Sequence, residues 1–162
     1  MSGEKNLDVL LANMIPELQS QAYVFASMSY CGLKTDETTR KTLVGALLDD
    51  TNLSVIALFQ EKEGMTVYCT EEFLTSQVPK ELILESSQPM GMITLQIHSA
   101  LDAVGLTAAF ATELGQHGIS ANVMAGFYHD HIFVSGGLEM GRKAVQVLQS
   151  LSARKKEEQS SA

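Results

Sequence analysis

The stretch His129-Asp130-His131 has the residue types of a metal site. In a β-strand, residues two positions apart project from the same face, so His129 and His131 would lie on one side and Asp130 on the other. With His98 or His117 nearby, three imidazoles could bind zinc, which takes three or more convergent ligands. The alternatives are that Asp130 and the histidines stabilise a hairpin between two strands, or contribute to a ligand site or an interface.

A second candidate is the turn Asp102-x-x-Gly105-Leu106, which leads from a strand into a helix. The first N–H groups of a helix have no intrahelical partner and suit a carboxylate. Gly105 has no Cβ, so a ligand or a neighbouring backbone can approach closely. Asp102 could receive an α-ammonium group, or it could cap the helix.

The helix that follows this turn stops at Gly118, which we interpret as a C-cap glycine. The backbone of Ile119 and Ser120 would then be able to meet a ligand from a neighbouring module. The complete set of predicted ligand-binding residues is His98, Ser99, Asp102, Ala103, Val104, Gly105, Leu106, Gly118, Ile119, Ser120, Asn122 and Asp130.

The sequence contains no Gly-x-Ser-x-Gly, paired-cysteine or phosphate-loop pattern. His98 and Ser99 are adjacent, and adjacent strand residues point to opposite faces, which is poor geometry for a nucleophile and its base. Gly136-Gly137 lacks the spacing of a dinucleotide motif. We therefore predict no catalytic residues, no metal and no cofactor. A metal-dependent enzyme that uses His98, His129 and His131 is the weakest alternative.

Composition excludes two classes of partner. The net charge is −8 and no cluster of Lys and Arg is present, which argues against nucleic acid. No stretch approaches the roughly 20 apolar residues of a membrane span, and no signal pattern opens the chain, so we expect a cytoplasmic protein with reduced Cys31 and Cys69. Because 45% of residues are apolar and only 19% are charged, we expect some surface to be buried in a dimer.

Hydrophobic periodicity predicts the order of elements. Helical spacing occurs at 7–18, with Asn6 as N-cap, and at 42–48 and 71–76, with Thr70 as N-cap of the last. Strands are predicted at 22–28, 53–59, 65–69 and 82–84, with a hairpin at 61–64. The second half has a strand at 93–98 with apolar residues on one face only, a helix that ends at Gly118, strands at 119–127 and 131–134, and a helix to about 151.

Several stretches resemble known proteins. Asp102-x-x-Gly105-Leu106, followed by Leu114 and by Gly118-Ile119-Ser120 and Asn122, resembles the signature of ACT domains, in which such a turn starts the first helix and a Gly-Ile step starts the second strand. More narrowly, the segments 93–95, 104–109 and 128–131, with the strand 23–25 and the hairpin 61–64, look like a bacterial family of tandem ACT-like proteins of undefined role. The resemblance covers residues 7–150.

The fold class is therefore α+β. We predict two ferredoxin-like (βαββαβ, ACT-like) modules packed side by side, with antiparallel sheets and helices on one face. The expected division is an N-terminal helix plus an ACT-like module over residues 1–88, a C-terminal ACT domain over 89–153, and a disordered tail over 154–162.

The resemblance implies a function, because ACT domains bind amino acids or other small effectors at module interfaces, often in dimers, and tandem-ACT arginine sensors of animals are distantly similar. We predict a non-catalytic regulatory or sensor protein that binds an amino acid or a similar effector at a module or subunit interface. It would be a homodimer, with a further protein partner left open and with no nucleic acid or membrane partner. The alternative is a constitutive dimeric protein-interaction module without a ligand.

Overall fold

The structure is a computed structural model that describes residues 3–49, 53–97 and 104–161. Its helices are α1 (Leu7–Asn13), α2 (Tyr30–Thr35), α3 (Glu37–Leu47), α4 (Glu71–Gln77), α5 (Leu106–Gln116) and α6 (Gly137–Ser160). Its strands are β1 (Pro16–Met28), β2 (Val55–Gln60), β3 (Met65–Thr70), β4 (Ile83–Ser86), β5 (Met90–Leu95), β6 (Ala121–Ala125) and β7 (Asp130–Ser135), and a 3-10 turn spans Lys80–Leu82.

The chain forms two compact units, an inner unit of residues 22–89 and an outer unit of residues 1–21 and 90–162. The inner unit follows the predicted order of strand, helix, strand, strand, helix, strand. Its strands lie in the order β2-β3-β1-β4, and every neighbouring pair is antiparallel. Alternate residues of β1, namely Val24, Ala26 and Met28, pack with helix residues such as Leu43 and Phe73 in one core. This is the ferredoxin-like arrangement that the sequence predicts.

The outer unit has the same strand plan with a different connection. Its strands lie in the order β1-β5-β7-β6, and β5, β7 and β6 pair antiparallel. The first part of β1 is its fourth strand, and the Gln96 N–H donates to the Ile15 carbonyl at 2.8 Å where β1 begins. The inner unit is thus inserted between the fourth strand of the outer unit and its other three strands.

The compact units assign α1 differently from the predicted domains. Helix α1 was expected to belong to the N-terminal module, but Leu10, Leu11 and Met14 lie in the core of the outer unit with Phe110 and Leu148. The helix also ends at Asn13 rather than near residue 18. Pro16 starts β1, and the first position of a strand tolerates the missing N–H. Because proline lacks that donor, it would also interrupt a helix that continued to residue 18.

Strand β5 is buried along its whole length, and Thr94 on its predicted polar face contacts Gln19 and His131. One further prediction is wrong. The expected disordered tail is helical, because α6 runs for 24 residues to Ser160. Its polar last turns are anchored by ion pairs of Arg154 with Glu113 at 2.8 Å and of Lys155 with Asp8 at 3.6 Å, which hydrophobic periodicity does not reveal.

Candidate functional site

The predicted ligand-binding residues fall into two groups at opposite edges of the outer unit. Strand register places Gly91, Val134 and Ala121 in one row, and Thr94 with His131 at the other end of the same strands. We call the group of Val104, Gly105, Leu106 and Asp130 the turn edge, and the group of Gly118, Ile119, Ser120 and Asn122 the step edge. His98, Ser99, Asp102 and Ala103 lie outside the described residues.

Helix α5 separates the two edges. It has 11 residues, which at 1.5 Å per residue is a length of roughly 16 Å. A single amino acid cannot span that distance. The structure therefore keeps the two groups apart within one outer unit.

At the turn edge, Gly105 is the N-cap of α5 and has φ +96°, a conformation that favours glycine. No side chain of Gly105 is available to cap the helix, and the Ala109 N–H is the one that bonds back to the Gly105 carbonyl, at 2.9 Å. The N–H groups of residues 106–108 come before that bond and therefore have no acceptor within the helix. Val104 beside them is 85% exposed, whereas Leu106 is buried in the core. The edge thus combines helix-start donors with solvent access.

The close approach that Gly105 permits is made by the N-terminal helix. A Cβ at position 105 would lie 3.1 Å from Leu7 Cδ2. Leu7 itself packs against the core of the outer unit. The sequence predicted that a ligand or a backbone would approach here, and the structure shows a side chain of α1 instead.

Asp130 and the two neighbouring histidines lie on different faces. Asp130 is 8% exposed and alternates with His131 along β7, on the same face as the core residues Ile132 and Val134. Burial raises the pKa of Asp130, and the nearby charge of His129 opposes that shift. On the other face, the Thr94 hydroxyl lies 3.1 Å from His131 Nδ1.

That hydroxyl also accepts a hydrogen bond from Gln19 Nε2 at 3.2 Å, so Thr94 links Gln19 with His131. Burial first, and His129 second, lower the pKa of His131. The Gly126 N–H donates to the His129 carbonyl at 2.9 Å and closes a two-residue loop. These contacts support the hairpin role for the histidines. No three His, Cys, Asp or Glu side chains converge in the described ranges, which do not include His98.

At the step edge, the end of α5 has the hydrogen bonds of a Schellman motif. The Ile119 N–H donates to the Leu114 carbonyl and the Gly118 N–H to the Gly115 carbonyl, both at 3.0 Å. Gly118 has φ +69°, and Ile119 and Leu114 share the core. The predicted C-cap role of Gly118 is therefore confirmed.

A cleft of about 450 Å³ opens beside the step edge. Apolar and polar side chains share its wall, and all of them come from the end of α5 and from one face of α6: His117, Gly118, Ile119, Met140, Lys143, Gln146, Val147 and Ser150. The Lys143 ammonium lies 3.2 Å from the Glu139 carboxylate in an exposed pair, so it can turn to an anion in the cleft at little cost. Sequence reasoning missed the α6 residues, although their spacing at 140, 143, 147 and 150 marks one helical face.

Two ACT domain profiles match the chain in tandem, one over residues 2–73 and the other over residues 88–150. Among proteins with curated descriptions, none matches. A Vibrio cholerae protein of unknown function, described as a possible transport protein, has a solved structure with 39% identity and a TM-score of 0.65. The alignment covers 91% of this chain and 97% of that one.

Two aspartate kinase structures share the fold at low identity. The regulatory subunit from Thermus flavus is 10% identical with a TM-score of 0.54, over 84% of this chain and 95% of that one. Aspartokinase III of Escherichia coli, in complex with aspartate and ADP, is 14% identical with a TM-score of 0.54, over 86% of this chain and 34% of the enzyme.

The described helices include none with both the length and the apolarity needed to cross a membrane. The inner unit and the outer unit each have the ferredoxin-like strand order, and α5 begins at the Gly105-Leu106 step and ends at the Gly118-Ile119 step. With both profiles in tandem, the chain belongs to the ACT-domain family and carries two ACT domains.

Proposed function

We propose that this protein is a non-catalytic, cytoplasmic regulator that binds an amino acid between the outer units of two copies. The observation that carries the proposal is the separation of the turn edge from the step edge by the length of α5. Each group occurs once in the chain. A ligand that uses both groups therefore needs the turn edge of one copy and the step edge of another.

The chemistry of the two edges is complementary to an amino acid. The cleft at the step edge offers apolar side chains together with Lys143 and Gln146, which suit a side chain and a carboxylate. The turn edge of a second copy would add the N–H groups at the start of α5, with Asp102 as the acceptor for the α-ammonium group. Binding favours the dimer by its differential affinity for it, and a protein partner reads that shift.

The comparisons support an amino acid as the class of effector. Relatives in fold include regulatory subunits of aspartate kinase, and one such enzyme is described in complex with aspartate. These likenesses extend to the fold alone, so the effector itself has to be found by experiment.

A thermal-melting screen of the full chain against the twenty amino acids and common nucleotides tests the proposal. We expect one amino acid, or one small group of them, to raise the melting temperature, since a ligand that binds only the folded state stabilises it by mass action. The same ligand should increase the dimer fraction in sedimentation velocity. A folded protein that no amino acid stabilises at millimolar concentration would contradict the proposal.

One observation favours the second candidate, a constitutive dimeric interaction module without a ligand. Leu7 already fills the space above Gly105, so the turn edge is partly covered by the chain itself. The variant Leu7→Ala separates the candidates, because it uncovers Gly105. A regulator should bind its amino acid at least as tightly in this variant, whereas a constitutive module should remain dimeric with a melting temperature that no small molecule changes.

A further inference from the structure

The sheet of the inner unit has one face that its helices do not cover. Core residues of β1 and β3 point towards the helices, so the residues between them point the other way. Cross-strand register places six of these side chains on this face, which we call the open face: Phe25, Ser27, Phe59, Thr66, Tyr68 and Glu85. The rings of Phe25 and Tyr68 are 4.1 Å apart between centroids, and those of Phe59 and Tyr68 are 5.2 Å apart.

A depression of about 260 Å³ lies at one side of the open face. It forms because Ser27 and Thr66 are short side chains that stand next to the Phe25 ring, with Glu85 opposite Ser27 on the neighbouring strand. The complete lining is Phe25, Ala26, Ser27, Thr66, Glu85, Ser86 and Ser87. At about 30 Å³ per water, the space corresponds to roughly nine water molecules.

Hydrogen bonds already made by the lining decide what a ligand can offer it. The Thr66 hydroxyl donates to the Glu61 carboxylate. The Ser87 hydroxyl donates to the Gln88 carbonyl at 3.0 Å and accepts from the Phe25 N–H at 3.0 Å. Both hydroxyls have used their proton and keep only acceptor capacity. A ligand that bonds to these two hydroxyls must therefore donate the hydrogen.

The lining of the depression carries only negative charge. Glu85 is its only ionisable residue and is exposed, and no Lys, Arg or His of the described ranges forms an ion pair with it. A ligand carboxylate would find no cation in this depression, which excludes an ordinary amino acid. An alkyl chain can lie against the Phe25 ring, and an ammonium group beside an aromatic face and a carboxylate gains from both.

We propose that this depression binds a small alkylammonium ion, such as a primary amine or a diamine, that carries no carboxylate. The ammonium group pairs with Glu85 and donates to the acceptor oxygens of Ser27 and Thr66, and the carbon chain lies along Phe25. The site is in the inner unit and is independent of the amino-acid site proposed for the outer unit.

Titration of the full chain with putrescine, butylamine, 1-butanol and 4-aminobutyrate, followed by calorimetry and by amide NMR shifts, tests the site. Putrescine and butylamine should bind, with shifts centred on the amides of Ser27, Thr66 and Glu85, and added salt should weaken both. Butanol lacks the charge and 4-aminobutyrate carries a carboxylate, so neither should bind. Absence of binding by millimolar putrescine, or shifts centred elsewhere, would overturn the proposal, as would equal binding of 4-aminobutyrate.

Three variants complete the test. Glu85→Gln removes the charge and keeps the shape, so putrescine should bind about tenfold more weakly. Glu72→Gln makes the same charge change in the first turn of α4, an exposed position outside the lining, and should leave binding unchanged. Ser27→Leu fills the depression and should abolish binding without lowering the melting temperature much. Equal weakening by the Glu72 and Glu85 variants would show only general charge attraction and contradict the site.

Discussion

Helices α5 and α6 of the outer unit begin differently from the other described α-helices. In the inner unit, Ser29, Asp36 and Thr70 each accept a hydrogen bond from the backbone of the helix they precede. In the outer unit, the Asn6 side chain caps α1 in the same way, whereas α5 and α6 begin at Gly105 and Gly136, both with positive φ and neither with a side chain to cap the helix.

This difference sets α5 and α6 apart from the other described α-helices in how their first N–H groups are satisfied. A capping side chain satisfies one or more of the first N–H groups and is worth about 1 kcal/mol to stability. A glycine at the N-cap gives up part of that stability, because it supplies no side-chain acceptor for the first N–H groups. The outer unit therefore has two helix starts with a glycine at the N-cap, whereas the α-helices of the inner unit each begin at a capping side chain.

The largest expected effect is a loss of stability that tests which unit contains α1. Leu10 is fully buried in the outer core, although it lies near the N-terminus. Leu10→Ala should lower the free energy of unfolding by about 2–5 kcal/mol and speed hydrogen exchange in β5 and β7. Leu43→Ala, at a buried position of the inner core, should have a similar cost and act on β2 and β3. Faster exchange confined to the inner unit in the Leu10 variant would refute the permuted connection.

Substitutions at a matched pair of glycines test how tightly α6 packs against β5. A Cβ on Gly91 would lie 2.8 Å from the Gly137 carbonyl oxygen and 3.1 Å from Gly141 Cα, so Gly91→Ala should cost about 1–3 kcal/mol. Gly45 lies inside α3 with nothing within 4 Å, and Gly45→Ala should stabilise by about 0.5–1 kcal/mol. Urea denaturation measures both. A neutral Gly91 variant would show that α6 does not lie tightly against β5.

Substitution of Asp102 addresses the open helix start. Gly105 occupies the N-cap position, so if Asp102 stabilises the start of α5 it does so from outside the helix, and Asp102→Ala should lower stability more than Asp102→Ser, which keeps a hydroxyl acceptor. If it receives the ammonium group of the effector, both variants should lose binding with little change in stability. Chemical denaturation and calorimetry with the amino acid found in the screen distinguish the two, and unchanged binding in Asp102→Ser would exclude the ligand role.

The smallest expected effect is a pH dependence of stability that arises from a histidine of the outer unit. All four histidines lie at or after residue 98, so the inner unit has none. The pKa of His131 is lowered in the folded state, mainly by burial. As pH falls through about 6.5, the unfolded chain takes up a proton that the folded chain resists, so stability falls.

The variant His131→Gln keeps a hydrogen-bonding side chain beside Thr94 and should flatten this dependence. Burial raises the pKa of Asp130, so its titration makes stability rise as pH falls, opposite to the effect of His131. The comparison is therefore repeated in Asp130→Asn to separate the two groups. Melting temperatures between neutral and mildly acidic pH provide the measurement. An equal slope in wild type and His131→Gln would show that His131 is not the titrating group.

The features that could be predicted from the sequence depend on residues that are close together in the chain. Asn6 and Thr70 cap helices where expected, the Gly118 C-cap is confirmed, and the strand order of the inner unit follows from consecutive elements. The permuted outer unit could not be predicted, because the pairing of β1 with β5 joins residues far apart in the sequence and leaves no local pattern. The cleft at the step edge was missed for the same reason, since α5 and α6 meet only in the folded unit.

A mixing experiment tests the central claim most directly, with Val104→Asp to block the turn edge and Ser120→Asp to block the step edge. Both positions are exposed, so both variants should fold. If the amino acid bridges two copies, neither variant binds it alone, and an equimolar mixture regains about a quarter of the sites, because half of the dimers are mixed and each has one intact site. A mixture that binds no better than the variants alone would contradict the account.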